Sequence, residues 1–166
     1  MPRQEIIRKA KQDKRAGKSA STQAGEFVKD EIDKIRKGKH GARSTKQAIA
    51  IGLSEARRAG VDLPPPRKGR TKKSTRRSAK YAYEAGQGKR TPKRRPRVSR
   101  AVENVLKKEP RSTASRSALS KQAKRAASGR TAASRSAAAR KASRTKGAKA
   151  RSAAAKKAAR TRTRRR

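Results

Sequence analysis

The sequence predicts a mostly α-helical chain, with a small N-terminal three-helix region followed by a largely disordered, highly basic tail rich in Ala, Ser, Arg and Lys. Three observations carry that expectation. Apolar residues in the first third recur at helical spacing between capping residues, and the cations crowd toward the other end. The 166 residues are only 30% hydrophobic and 2% aromatic, and 53 Lys+Arg against 11 Asp+Glu leave a net charge of +42. Ordering the chain costs roughly 1–2 kcal/mol per residue, which so few bulky apolar groups cannot offset along its whole length.

The first helix is expected over residues 3–16, with Pro2 able to open it, Gly17 to close it, and Ile6, Ile7 and Ala10 as its apolar face. The second, over 22–37 with Gly38 after it, places Val28, Ile32 and Ile35 at i, i+4 and i+7, with Phe27 beside them. Asp30/Lys34 and Asp33/Lys37 are opposite charges four apart with the acid first, the favourable orientation. The third, over 45–59, is marked at both ends, by a Ser44/Gln47 capping box and by Gly60 at the left-handed stop. Pro64, Pro65 and Pro66 forbid continuation, so residues 1–63 are expected as the helical region.

Residues 64–110 read as a basic, Pro-containing linker with room for short helices at 78–85 and 99–108, and residues 111–166 as a disordered basic repeat tail that becomes helical on binding. The three stretches carry net charges of +8, +14 and +20, and the last has no acid after Glu109. Leu119 is its only large apolar side chain. Arg135–Thr145 returns sixteen residues later as Arg151–Thr161 with few changes, and lacking bulky residues such a repeat builds no solenoid core.

At Lys39-His40-Gly41, followed by Ser44-Thr45-Lys46-Gln47-Ala48-Ile49-Ala50-Ile51-Gly52-Leu53-Ser54-Glu55-Ala56, the chain resembles a small bacterial family of unknown function whose members carry this block ahead of basic, Ala-rich tails. The resemblance implies a bacterial protein and brings no activity or site residues with it. The tail is similar in composition to the C-terminal arms of linker histones and of histone-like nucleoid proteins.

Several chemistries lack their parts. With one histidine, His40, and no Cys, neither a zinc site nor a base-activated nucleophile is expected, and His40 reads as a solvated turn residue or a phosphate contact. Gly17-Lys18-Ser19 lacks the upstream glycine of a phosphate-binding loop, since position 12 is Gln12. Asp30 and Glu31 read as solubilising groups on a mixed-charge helix. Tyr81 and Tyr83 read as a minor packing cluster rather than a base-stacking platform. The longest apolar run, residues 48–53, is six long, against about 20 for a bilayer span. The N-terminus shows no apolar core of signal-peptide length, so a cytoplasmic location at the nucleoid is expected.

What the charge does predict is a polyanion partner. Twenty cations without an acid displace condensed counterions from nucleic acid, and near-identical repeats offer no base-specific readout. Thr91-Pro92-Lys93-Arg94 also fits a (Ser/Thr)-Pro-basic-basic pattern that can lay Arg along a narrow minor groove. The expected function is therefore non-enzymatic, largely sequence-independent DNA binding that neutralises, bridges and compacts DNA, without cofactor, metal or small-molecule substrate. RNA or ribosome binding is the alternative, and membrane attachment is disfavoured by the lack of apolar anchors. The expected contacts are Lys39, Arg43, Lys46, Arg57, Arg58, Lys93, Arg94, Arg95 and Arg97, then Arg135, Arg140, Lys141, Arg144, Arg151, Lys156, Lys157, Arg160, Arg162, Arg164, Arg165 and Arg166 in the tail.

Overall fold

Seven α-helices and one 3₁₀ turn succeed one another in the computed structural model, which describes residues 4–93 and 95–164. They are α1 (Gln4–Arg15), α2 (Ala20–Arg36), α3 (Thr45–Arg58), α4 (Lys73–Gly86), α5 (Pro96–Lys108), the 3₁₀ turn Ser112–Ala114, α6 (Arg116–Ser128) and α7 (Ala132–Thr163). The chain divides into two units, Met1–Gln122 and Ala123–Arg166.

The capping signals act as their chemistry requires. Ser44 Oγ accepts the Gln47 N–H at 3.2 Å, and the Gln47 side chain reaches back one residue further than in the usual box, to the Arg43 N–H at 2.8 Å. Gly60, with φ +86°, takes the left-handed turn that ends α3.

Two apolar clusters hold the first unit together. One joins Ile6 and Ala10 of α1 to Ala24 and Phe27 of α2, with Ala56 of α3 and Val61 beyond it. The other joins Ile32 and Ile35 of α2 to Ala42, Ala48 and Ala114, with Val28 and Leu119 packed against it. α2 thus lies between two partial cores and contributes to both. Where α2 crosses α3 the backbones nearly touch, because a Cβ on Gly52 would stand 2.6 Å from Val28 Cα.

Hydrogen bonds from the far side of the chain complete the second cluster. The Gly41 N–H donates to Leu106 O at 2.8 Å and the Ala42 N–H to Pro110 O at 3.3 Å. Thr45 Oγ1 donates to Thr113 O at 2.7 Å, and Arg36 Nε to Ala114 O at 2.9 Å. A Cβ at position 41 would fall 1.8 Å from Glu109 O, so only glycine permits this approach. The Lys39-His40-Gly41 block therefore marks a docking point for residues 106–114.

The expectation of a three-helix region followed by a disordered tail is overturned: the structure is all-helical, with 73% of residues in helix. Residues 64–110 contain two well-formed helices, and α4 buries Ala79 and Ala82 while packing on α3. Residues 111–122 add Ala114 and Leu119 to the second cluster. In the remaining stretch helix formation needs no core. Ala, Arg and Lys are strong helix formers, and their preference acts through each residue's own backbone. Repulsion between exposed cations is screened over about 8–10 Å. Thr131 Oγ1 caps α7 by accepting the Ser134 N–H at 3.2 Å, and Gly147, with φ +63°, breaks its regular path into two arms.

Adding a methyl group should therefore have opposite effects at two helical glycines. Gly52→Ala should destabilise the fold by about 1–3 kcal/mol, the usual cost of overpacking. Gly25→Ala, in α2 with nothing within 4 Å of the new Cβ, should stabilise it by about 0.5–1 kcal/mol. Urea unfolding followed by circular dichroism measures both.

Candidate nucleic-acid interface

The expected contact residues fall into three places. Lys39, Arg43 and Lys46 are exposed around the turn into α3 and its first helical turn, and Arg58 is exposed at the far end of the same helix. Lys93, Arg95 and Arg97 are exposed at and before the start of α5. In α7, Arg135, Arg140, Lys141, Arg144, Arg151, Lys156, Lys157, Arg160 and Arg162 are all exposed, as is Arg164 just after it. Arg94, Arg165 and Arg166 lie outside the described residues.

Arg57 leaves this set. Its side chain is buried, and Nε donates to Leu63 O at 3.0 Å, tying the end of α3 to the segment that follows. Burial lowers the pKa of its guanidinium. At 100° per residue, positions 57 and 58 face different ways, and only the second reaches solvent.

α7 carries its cations all round. At 100° per residue, Arg135, Arg140 and Lys141 stand at about 0°, 140° and 240° around the axis of the first arm. No apolar stripe interrupts them, and among the described residues of α7 only Ser143 is more than superficially covered. Such a helix has no apolar face to bury and presents cations in every direction.

A further basic surface sits near α4 and α5, where Tyr81, Arg90, Thr91, Lys93, Arg95 and Ser99 line an open cleft of about 620 Å³. The Arg90 guanidinium lies over the Tyr81 ring, 5.1 Å from its centroid, a cation–π contact. Tyr83 points elsewhere and donates its hydroxyl to Asp62 Oδ1 at 2.7 Å. The two tyrosines therefore do not form one packing cluster.

The sequence also conceals a buried polar cluster. Asp30 and Glu31, expected on a solvated face, are only 6% and 1% exposed. The Lys34 ammonium lies 2.9 Å from Asp30, 3.2 Å from Glu55 and 3.7 Å from Glu31. Burial works against that ammonium, but Asp30 and Glu55 outweigh it and hold the Lys34 pKa above its usual value. His40, expected in a solvated turn, is folded inward. Its Nδ1 is 3.0 Å from Gly41 O, and since a carbonyl only accepts, Nδ1 carries the proton. Its Nε2 is 3.6 Å from Glu31 Oε1. Burial, with Glu55 and Asp30 close by, pushes the Glu31 carboxyl up, against the opposing pull of His40 and Lys34. Among the described residues no three His, Cys, Asp or Glu side chains are placed to hold a metal ion, and no helix is long and apolar enough to cross a membrane.

Residues 11–68 match a family of unknown function, DUF6496, in keeping with the family of unknown function that the Lys39-His40-Gly41 block suggests. The matched segment includes α2, α3 and all five residues of the polar cluster. No curated protein and no solved structure matches the chain.

Between the ordinary glutamate value of 4.5 and its raised folded value, Glu31 makes the folded chain hold more protons than the unfolded one, so stability falls as pH rises through that interval. Glu31→Gln removes this loss. It should raise the unfolding midpoint at pH 7, with the gain shrinking to nothing below about pH 4, where Glu31 is protonated folded or unfolded. Parallel urea titrations at the two pH values measure the difference.

Proposed function

We propose that this protein is a non-enzymatic, largely sequence-independent DNA-binding protein of the bacterial cytoplasm, acting at the nucleoid to neutralise and bridge DNA. The observation that supports this reading best is α7, two exposed helical arms joined at Gly147, with cations on all sides and no acid. Residues 132–163 hold 11 Lys and Arg, about one per 4.4 Å of helix axis, against one phosphate per about 1.7 Å of duplex. One such helix neutralises only part of the charge it lies along. Within each arm the helix fixes the directions of its cations, so they cannot all turn toward one duplex, and those on the far side are available to a second. That geometry favours bridging over simple coating.

The head adds exposed cations at Lys39, Arg43, Lys46 and Arg58, and the α4–α5 surface adds Arg90, Lys93 and Arg95. None of these forms the row of Arg, Asn or Gln that base-edge readout requires, so phosphate contact should dominate.

Affinity for duplex DNA should fall steeply with salt, by about 0.9 log units per log unit of salt for each phosphate neutralised. Replacing Arg140, Lys141, Lys156 and Lys157 with Gln should reduce the slope by up to about 3.6, while AT-rich and GC-rich duplexes compete equally. Fluorescence anisotropy across a sodium chloride series reads the slope, and co-sedimentation of one labelled duplex with a second reads bridging. A salt-indifferent affinity would refute the proposal, and preference for structured RNA over duplex at matched salt would redirect it to RNA.

A further inference from the structure

The break in α7 falls between the two copies of its sequence repeat. Residues 135–145 lie in the arm before Gly147 and residues 151–161 in the arm after it, so each arm carries one whole copy. Gly147 holds φ +63° and ψ 167°, outside the helical region, and a Cβ added there would meet nothing within 4 Å. No packing enforces the break, which uses the conformational freedom of glycine alone.

The cations surround each arm but are denser on one side. At 100° per residue, Arg140, Arg144 and Lys141 stand at about 140°, 180° and 240° from Arg135, within one sector of about 100°. In the second copy Lys156, Arg160 and Lys157 stand at the same angles from Arg151, and Lys149 joins them at about 160°. Arg135 in the first arm and Arg151 and Arg162 in the second lie on the opposite side, and all of these residues are exposed.

An unbroken helix would point the two dense sides apart. A sixteen-residue spacing amounts to four full turns and about 160° more. On one duplex, Arg140, Lys141 and Arg144 would then be accompanied only by Arg151 and Arg162, while Lys149, Lys156, Lys157 and Arg160 faced away. Past a non-helical residue the second arm no longer keeps the phase of the first. With both dense sides on one duplex, seven of these cations face it instead of five, and each phosphate neutralised releases counterions and raises affinity.

We propose that the two copies of the repeat are equivalent binding units for a single DNA duplex, and that the break at Gly147 lets both turn their dense sides to it, leaving Arg135, Arg151 and Arg162 outward for a second duplex. This rests on the DNA-binding reading above and adds how the two arms divide their cations between the bridged duplexes.

The test uses the full chain and a labelled duplex of about two helical turns, long enough for both arms. Gly147→Ala leaves the charge unchanged and should join the arms into one helix, with a gain of helix by circular dichroism. Its salt slope, read by fluorescence anisotropy across a sodium chloride series, should be shallower than the parent's by about 1.8, for two phosphates lost at about 0.9 each. Co-sedimentation of a second duplex should rise, since Lys149, Lys156, Lys157 and Arg160 then face the other way. Inserting two alanines after position 147 of that variant spaces the copies by about five whole turns and should restore the parent slope on a continuous helix, whereas inserting four leaves them about 200° apart and should not. If Gly147→Ala gains no helix or keeps the parent slope, or if the two-alanine and four-alanine variants behave alike, the proposal is overturned while DNA binding stands. A parent affinity indifferent to salt overturns both.

Discussion

A chain with so few large apolar side chains can bury surface only by bringing backbones close together, and the fold of residues 4–122 is organised by that constraint. Eight of its thirteen buried apolar residues are alanine. Gly52 lets α3 settle against Val28 of α2, and Gly41 lets the backbone at Glu109 approach the turn before α3. Both glycines replace missing side-chain volume with van der Waals contact between main chains, which is as dense as packing can be. The cost is rigidity of sequence, because neither position has room for a methyl group.

The same economy accounts for the polar cluster. With little apolar material available between α2 and α3, part of their interface is filled by Asp30, Glu31, Lys34, Glu55 and His40, with Lys34 paired to Asp30 and Glu55 and His40 beside Glu31. Buried ion pairs are weak contributors to stability once desolvation is counted. Here Asp30, Glu31 and Glu55 gather around the Lys34 ammonium.

Helix formation in α7 shows how propensity and packing divide the work. Where large apolar residues are absent, the fold relies on Ala, Arg and Lys preferring helix and on a capped start at Thr131. Composition argues correctly that no core forms there. It does not follow that the backbone lacks structure, because hydrogen bonding within a helix is satisfied internally and does not depend on burial.

Read alone, the sequence determined the excess of cations, which is composition, and the caps at Ser44 and Gly60 and the apolar stripes of α1 to α3, because each of these depends on residues within one or two helical turns. Only the tertiary structure decided that Arg57 turns inward while Arg58 does not, that Ala114 and Leu119 join Ile32 and Ile35, and that Glu31, His40 and Glu55 meet around Lys34. Those contacts join residues far apart in the chain. Helical periodicity assigns a side chain to a face, but what covers that face depends on where the other helices land.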